Sequence, residues 1–91
     1  MANIARHVRI TGLVQGVFLR AWTREQARRL GVNGWVRNCA DGSVEAHVEG
    51  DAEAVQRLND LLSHGPDGAR VDRIENEEAT PEGRDGFDVR H

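Results

Sequence analysis

Apolar and polar positions along the chain repeat with two periods, and the switches between them mark the elements. Val8 and Ile10 alternate with His7, Arg9 and Thr11, which predicts a half-buried strand from about Ile4 to Thr11. From about Arg20 to Leu30 the apolar residues Trp22, Ala27 and Leu30 fall at helical spacing, Leu19 extends the stripe backward, and Gly31 supplies the stop. Asn33 to Asn38, with Trp35 and Val36, reads as a second strand. The turn Cys39-Ala40-Asp41-Gly42 then carries the Asp-Gly signal of a hairpin. Val44, Ala46 and Val48 alternate with Ser43, Glu45, His47 and Glu49 in the clearest strand of the chain, whose other face is polar.

Gly50-Asp51 marks the next change of period. Asp51 suits an N-cap, Val55, Leu58, Leu61 and Leu62 form an apolar helical face, and Gly65-Pro66 ends it. Val71 to about Glu78 is a weaker strand, because Asp72 and Arg73 interrupt the alternation and Asn76 shares a face with Ile74. An edge position is expected. Thr80 to Gly86 reads as a loop, and Phe87 and Val89 alternate in a short terminal strand.

The order is strand, helix, strand, strand, helix, strand, plus the short final strand. The simplest packing is an α+β, two-layer domain: two amphipathic helices on one face of a mostly antiparallel sheet. Strand one, helix one and strand two form a crossover unit, so those strands run in the same direction even with the third between them. Their C-terminal ends then share one edge of the sheet. Arg20 and Asn38 are expected to meet there.

Ninety-one residues are expected to make one domain over 1–91, with a single two-layer core and no room for a separate cofactor domain. The net charge of -3 and the absence of lysine, all 12 basic residues being arginine, argue against a general nucleic-acid binder. One cysteine excludes an internal disulfide and a Cys-cluster metal site. Nothing resembles a signal peptide, and the apolar runs are too short to cross a bilayer, so a cytoplasmic enzyme or binding module is expected.

The chemistry gathers in Gly12-Leu13-Val14-Gln15-Gly16-Val17-Phe18-Leu19-Arg20, a strand-to-helix turn. Gly12 and Gly16 permit geometries that aim successive N–H groups at one point, and the first helical turn adds unpaired donors and partial positive charge. Arg20 places a guanidinium fork at the same spot, suited to paired phosphate oxygens. A phosphate cradle is the expectation.

Two stretches carry a family resemblance. Ile10 to Arg20 resembles the first signature of the acylphosphatase family, and Gly34-Trp35-Val36-Arg37-Asn38, continuing through Asp41-Gly42-Ser43-Val44 to Gly50, resembles the second. The resemblance implies a ferredoxin-like sandwich that hydrolyses acyl phosphates to a carboxylate and inorganic phosphate without metal or cofactor. It implies that Arg20 and Asn38 are catalytic and that Gln15, Gly16, Val17, Phe18 and Leu19, with Arg20, hold the phosphate, mainly through backbone amides. Its partners are then an acyl phosphate substrate and inorganic phosphate as product and inhibitor, with no nucleic acid and no membrane, and the chain is a monomer. Leu19 departs from the larger side chain usual before the arginine, which is expected to alter packing beneath Arg20. A non-catalytic phosphate-binding or carbamoyl-phosphate-handling domain is the alternative. An RNA-recognition domain shares the element order, but its sheet displays a run of aromatics, whereas this chain has only four in total, no Tyr and no matching motif.

Acyl phosphates already carry a good leaving group, so hydrolysis needs stabilised phosphoryl charge and an aligned water more than acid catalysis. Arg20 with the loop amides supplies the first need, and the Asn38 amide, both donor and acceptor, supplies the second. Gln15 either touches substrate or fixes the loop, the latter being favoured. Thr23 either bonds back to the cradle or lies on the helix. Trp22 and Trp35 are read as packing residues, Trp35 bordering the site. Arg24 and Arg37 either add positive potential or are solvated. His7, His47, His64 and His91 show no metal spacing and are read as surface or terminal residues, and Cys39 as structural.

Overall fold

The structure, a computed structural model, describes residues 3–90. Seven elements follow in the order β1 (Asn3–Leu13), α1 (Leu19–Leu30), β2 (Asn33–Asn38), β3 (Val44–Asp51), α2 (Ala52–His64), β4 (Arg70–Ala79) and β5 (Phe87–Arg90). The sheet order is β4-β1-β3-β2-β5, so β4 is an edge strand as its broken alternation implies. β3 pairs antiparallel with both β1 and β2, which makes β1 and β2 parallel to each other. β5 pairs parallel with β2, so its end also lies at the edge where β1 and β2 finish.

Register follows side-chain alternation. Val8 pairs with Ala46, Ile10 with Val44 and Val36 with Ala46, placing their side chains on the helix-covered face. There they join Leu19, Ala27, Val55, Leu58, Leu62 and Phe87 in one buried cluster. α1 starts at Leu19, one residue earlier than its periodicity indicates, and ends on Gly31 at φ +73°. The Gly31 and Val32 N–H groups reach back to the Arg28 and Ala27 carbonyls, closing the helix with a Schellman motif. β1 runs on to Leu13, so the cradle loop shortens to 14–18. Asp51 occupies the N-cap of α2 without a side-chain capping bond, and it also pairs with Asn3 at the end of the β1–β3 ladder.

The polar face of β3 is not solvated. Glu45, His47 and Glu49 are all buried, and His47, 3% exposed, corrects the expectation of a surface histidine. The His47 ring stacks on Trp35 at 6.3 Å, and the Arg90 guanidinium lies over the Trp35 ring at 4.4 Å. Trp35 therefore lies on the sheet face away from Asn38 and does not border the site. Glu45 is held by His7 at 3.0 Å and by Arg37. The segment 80–86 folds over this face, and the Glu49 carboxylate accepts the Glu82 and Arg84 backbone N–H groups, each at 2.6 Å. Burial pushes the Glu49 carboxyl up, but those N–H groups and His47 outweigh it and hold it below the ordinary glutamate value. Burial acts on Glu45 in the same sense, and His7 and Arg37 reverse it. His7 is half-buried, His64 is exposed, and His91 lies outside the described residues.

Candidate active site

Where β1 and β2 end together, a pocket of about 410 Å³ is lined by Val14, Gly16, Phe18, Leu19, Arg20, Ala21, Asn38 and Val89. Arg20 and Asn38 share it although 18 positions separate them (38 minus 20), through the parallel arrangement of β1 and β2. The cradle loop enters α1 through two left-handed residues, Gly16 at φ +74° and Phe18 at φ +61°. A bulky residue at positive φ is an uncommon, strained conformation. The Phe18 carbonyl accepts the Trp22 N–H at 3.0 Å and so begins the helix. Helix geometry leaves the Leu19, Arg20 and Ala21 N–H groups without intrahelical acceptors.

The first turn of α1 has no acidic residue and does contain Arg20. A cation there opposes the helix dipole, an arrangement that becomes favourable once an anion sits between them. Arg20 is half-buried, and one guanidinium nitrogen donates to the Arg90 carbonyl at 3.1 Å, so β5 orients the fork. Leu19 is buried in the core. Asn38 lines the pocket, and its Oδ1 is buried and makes no hydrogen bond among the described residues.

Gln15 and Val17 are adjacent to this pocket in sequence but do not line it. Val17 packs against the core. The Gln15 amide donates to the Cys39 carbonyl at 2.8 Å and the Ser43 carbonyl at 2.9 Å, tying the cradle to both ends of the β2–β3 turn. That turn is itself closed by Cys39 N–H on the Ser43 carbonyl and by Asp41, which accepts the Ser43 N–H and hydroxyl. The Ser43 bonds, with Arg9 nearby, hold the Asp41 carboxyl below its ordinary value. Thr23 is buried and its hydroxyl makes no hydrogen bond among the described residues, so it does not bond back to the cradle. Arg37 faces Glu45 on the opposite side of the sheet and adds nothing to the pocket. Val14, Ala21 and Val89 are wall residues that sequence reasoning missed. Val89 had no signal, because the partner of β5 is a tertiary fact.

Fold and pocket together define a class: a ferredoxin-like α+β sandwich with an anion-suited cradle at the start of its first helix. The acylphosphatase family model matches residues 6–89, and the chain belongs to that family. It is 55% identical to the acylphosphatase of Acidovorax sp. (strain JS42), over 98% of this chain and 92% of that protein. Its backbone superposes on an acylphosphatase from Coxiella burnetii with a TM-score of 0.93 at 36% identity, covering 97% and 93% of the two chains. The same fold recurs inside a larger protein: T. kodakarensis HypF matches with a TM-score of 0.85 at 32% identity, over 97% of this chain but 12% of HypF.

Proposed function

We propose that this chain hydrolyses the carboxyl–phosphate bond of acyl phosphates, with Arg20 and Asn38 as its catalytic residues. The phosphoryl group sits on the N–H groups that open α1, and the Arg20 fork neutralises charge on its oxygens. Asn38, across the same pocket, accepts a hydrogen bond from a water and aims its oxygen at phosphorus opposite the acyl oxygen. As the water oxygen bonds to phosphorus, the phosphorus–acyl oxygen bond breaks, and the carboxylate leaves with the electron pair. One water proton passes to a phosphoryl oxygen and the other stays on the new hydroxyl, giving dihydrogen phosphate and the carboxylate. This sequence needs no metal or cofactor. We further propose that it acts as a monomer on small acyl phosphates of the cytoplasm.

The observation that carries this reading is that Arg20, in the first turn of α1, and Asn38, at the end of β2, line one pocket. The test is benzoyl phosphate hydrolysis with inorganic phosphate as inhibitor. Removing a well-placed group that acts on the developing charge or its attacking water costs ~10²–10³ in rate. Asn38→Ala loses turnover while phosphate inhibition persists, and Arg20→Ala loses both. Near-normal turnover in Asn38→Ala excludes the water-orienting role.

A further inference from the structure

Phe18 is unusual on two independent counts. Its backbone is held at φ +61°, and its ring is 85% exposed, projecting from the cradle. Strained residues with exposed large side chains collect where a ligand is held. Here the ring stands on the boundary between two concavities. On one side is the pocket shared by Arg20 and Asn38; on the other is a shallow groove of about 670 Å³ that runs along α1, with Ala21 also common to both. The groove continues through Trp22, Arg24 and Arg28. Arg29 is tied to Glu25 at 2.8 Å, whereas Arg24 and Arg28 make no ion pair or side-chain hydrogen bond among the described residues. An apolar floor at the mouth of the phosphoryl pocket thus leads to two unneutralised guanidinium groups.

We infer that this groove is the acyl-group subsite: the chain selects acyl phosphates whose acyl portion has an apolar, preferably aromatic, body and carries a second anionic group. The inference rests on the cradle holding the phosphoryl group, as proposed above. From there the acyl carbon lies over Phe18, its body packs on Phe18 and Trp22, and the distal anion reaches Arg24 and Arg28. Acetyl phosphate would fill the cradle alone. Ring packing is worth roughly two- to tenfold in affinity and each exposed ion pair about two- to fivefold at low salt, the latter fading as salt screens it.

Three stable phosphonates test this without turnover: methylphosphonate, benzylphosphonate and 4-carboxybenzylphosphonate, titrated by NMR at low and high salt. Affinity should rise at each step of the series. Phe18→Ala should collapse the benzyl-to-methyl ratio, and Arg24→Ala/Arg28→Ala should collapse the carboxybenzyl-to-benzyl ratio, both read within each variant. Added salt should shrink the second ratio in the wild type. Equal affinities across the series, or ratios unchanged in the variants, overturn the subsite. Acetyl phosphate hydrolysis, measured in parallel, reports on the proposed activity separately: turnover with a flat phosphonate series defeats only the subsite. A graded series without turnover defeats only the hydrolysis. No binding of any phosphonate together with no acetyl phosphate turnover defeats both.

Discussion

Gln15 joins the two halves of the pocket, and its truncation gives the most informative perturbation. Its amide donates to the Cys39 and Ser43 carbonyls, at 2.8 and 2.9 Å, one at each end of the turn that follows Asn38. In Gln15→Ala both bonds vanish. Neither carbonyl is orphaned, because Ser43 still accepts from the Cys39 N–H and Cys39 from the Gly42 N–H. The stability loss is therefore that of two ordinary hydrogen bonds, about 1–3 kcal/mol, without a further penalty for a stranded acceptor. For a domain of this size each kcal/mol lowers Tm by roughly 4–8 °C, so thermal unfolding should fall by ~10 °C. The kinetic consequence is larger. Arg20 and the backbone donors sit on the cradle side, whereas Asn38 sits on the hairpin side, so untying them misplaces the water relative to the phosphoryl group. A misplacement of ~1 Å costs on the order of 100-fold. Benzoyl phosphate kinetics well below the lowered Tm should show kcat down by about 10- to 100-fold, with inhibition by inorganic phosphate changed far less. Gln15→Glu, which keeps the length but offers no N–H, should behave alike. A Gln15→Ala enzyme with wild-type kcat, or a Tm within about 4 °C of wild type (the smallest shift these bonds allow), refutes the clamp.

Other perturbations follow from the same geometry. Arg20→Lys should lose most turnover, because a single ammonium cannot both reach the Arg90 carbonyl and fork a phosphate; recovery of wild-type kcat/KM by lysine would show that charge alone suffices. Glu49→Ala should cost about 2 kcal/mol at neutral pH in chemical denaturation, since two charge-assisted bonds to segment 80–86 go, although those N–H groups regain some water. Because the folded carboxyl lies below its ordinary 4.5, its contribution is complete above that value and lost as pH falls through the folded one. The gap between wild type and Glu49→Ala should thus narrow below pH 4.5, and a gap that widens there contradicts the assignment. Gly34→Ala should cost on the order of 4 kcal/mol, since Gly34 sits at φ +144° and an added Cβ would lie 1.8 Å from the His47 carbonyl oxygen; a Tm close to wild type would show that β2 and β3 separate easily.

Much of the site was legible along the chain. The βαβ order alone forces β1 and β2 to finish at one edge, which is why Arg20 and Asn38 could be placed together before any coordinates. The Gln15 role was half legible: a glutamine in a glycine-flanked turn suggests loop fixing, but its acceptors, 24 and 28 positions away, do not. Other features were hidden. Glu45, His47 and Glu49 alternate like a solvated strand face, and nothing local shows that Trp35, Arg90 and segment 80–86 will cover them. Phe18 reads as an apolar residue beside an apolar run, so periodicity favours burying it. Its ring is exposed because the left-handed turn rotates it out of the stripe that Leu19 begins.

The amino-acid sequence by itself determined the element order, the helix-facing half of the core and the positions of the cradle and its arginine. These depend on periodicity, glycine placement and short-range hydrogen bonding, which neighbouring residues decide among themselves. Tertiary structure decided the walls: the parallel pairing that brings Val89 and the Arg90 carbonyl to Arg20, the carboxylate that fastens segment 80–86, and the ledge Phe18 makes between two concavities. Each requires groups distant along the chain to meet, and whether they do depends on how the whole sheet is assembled.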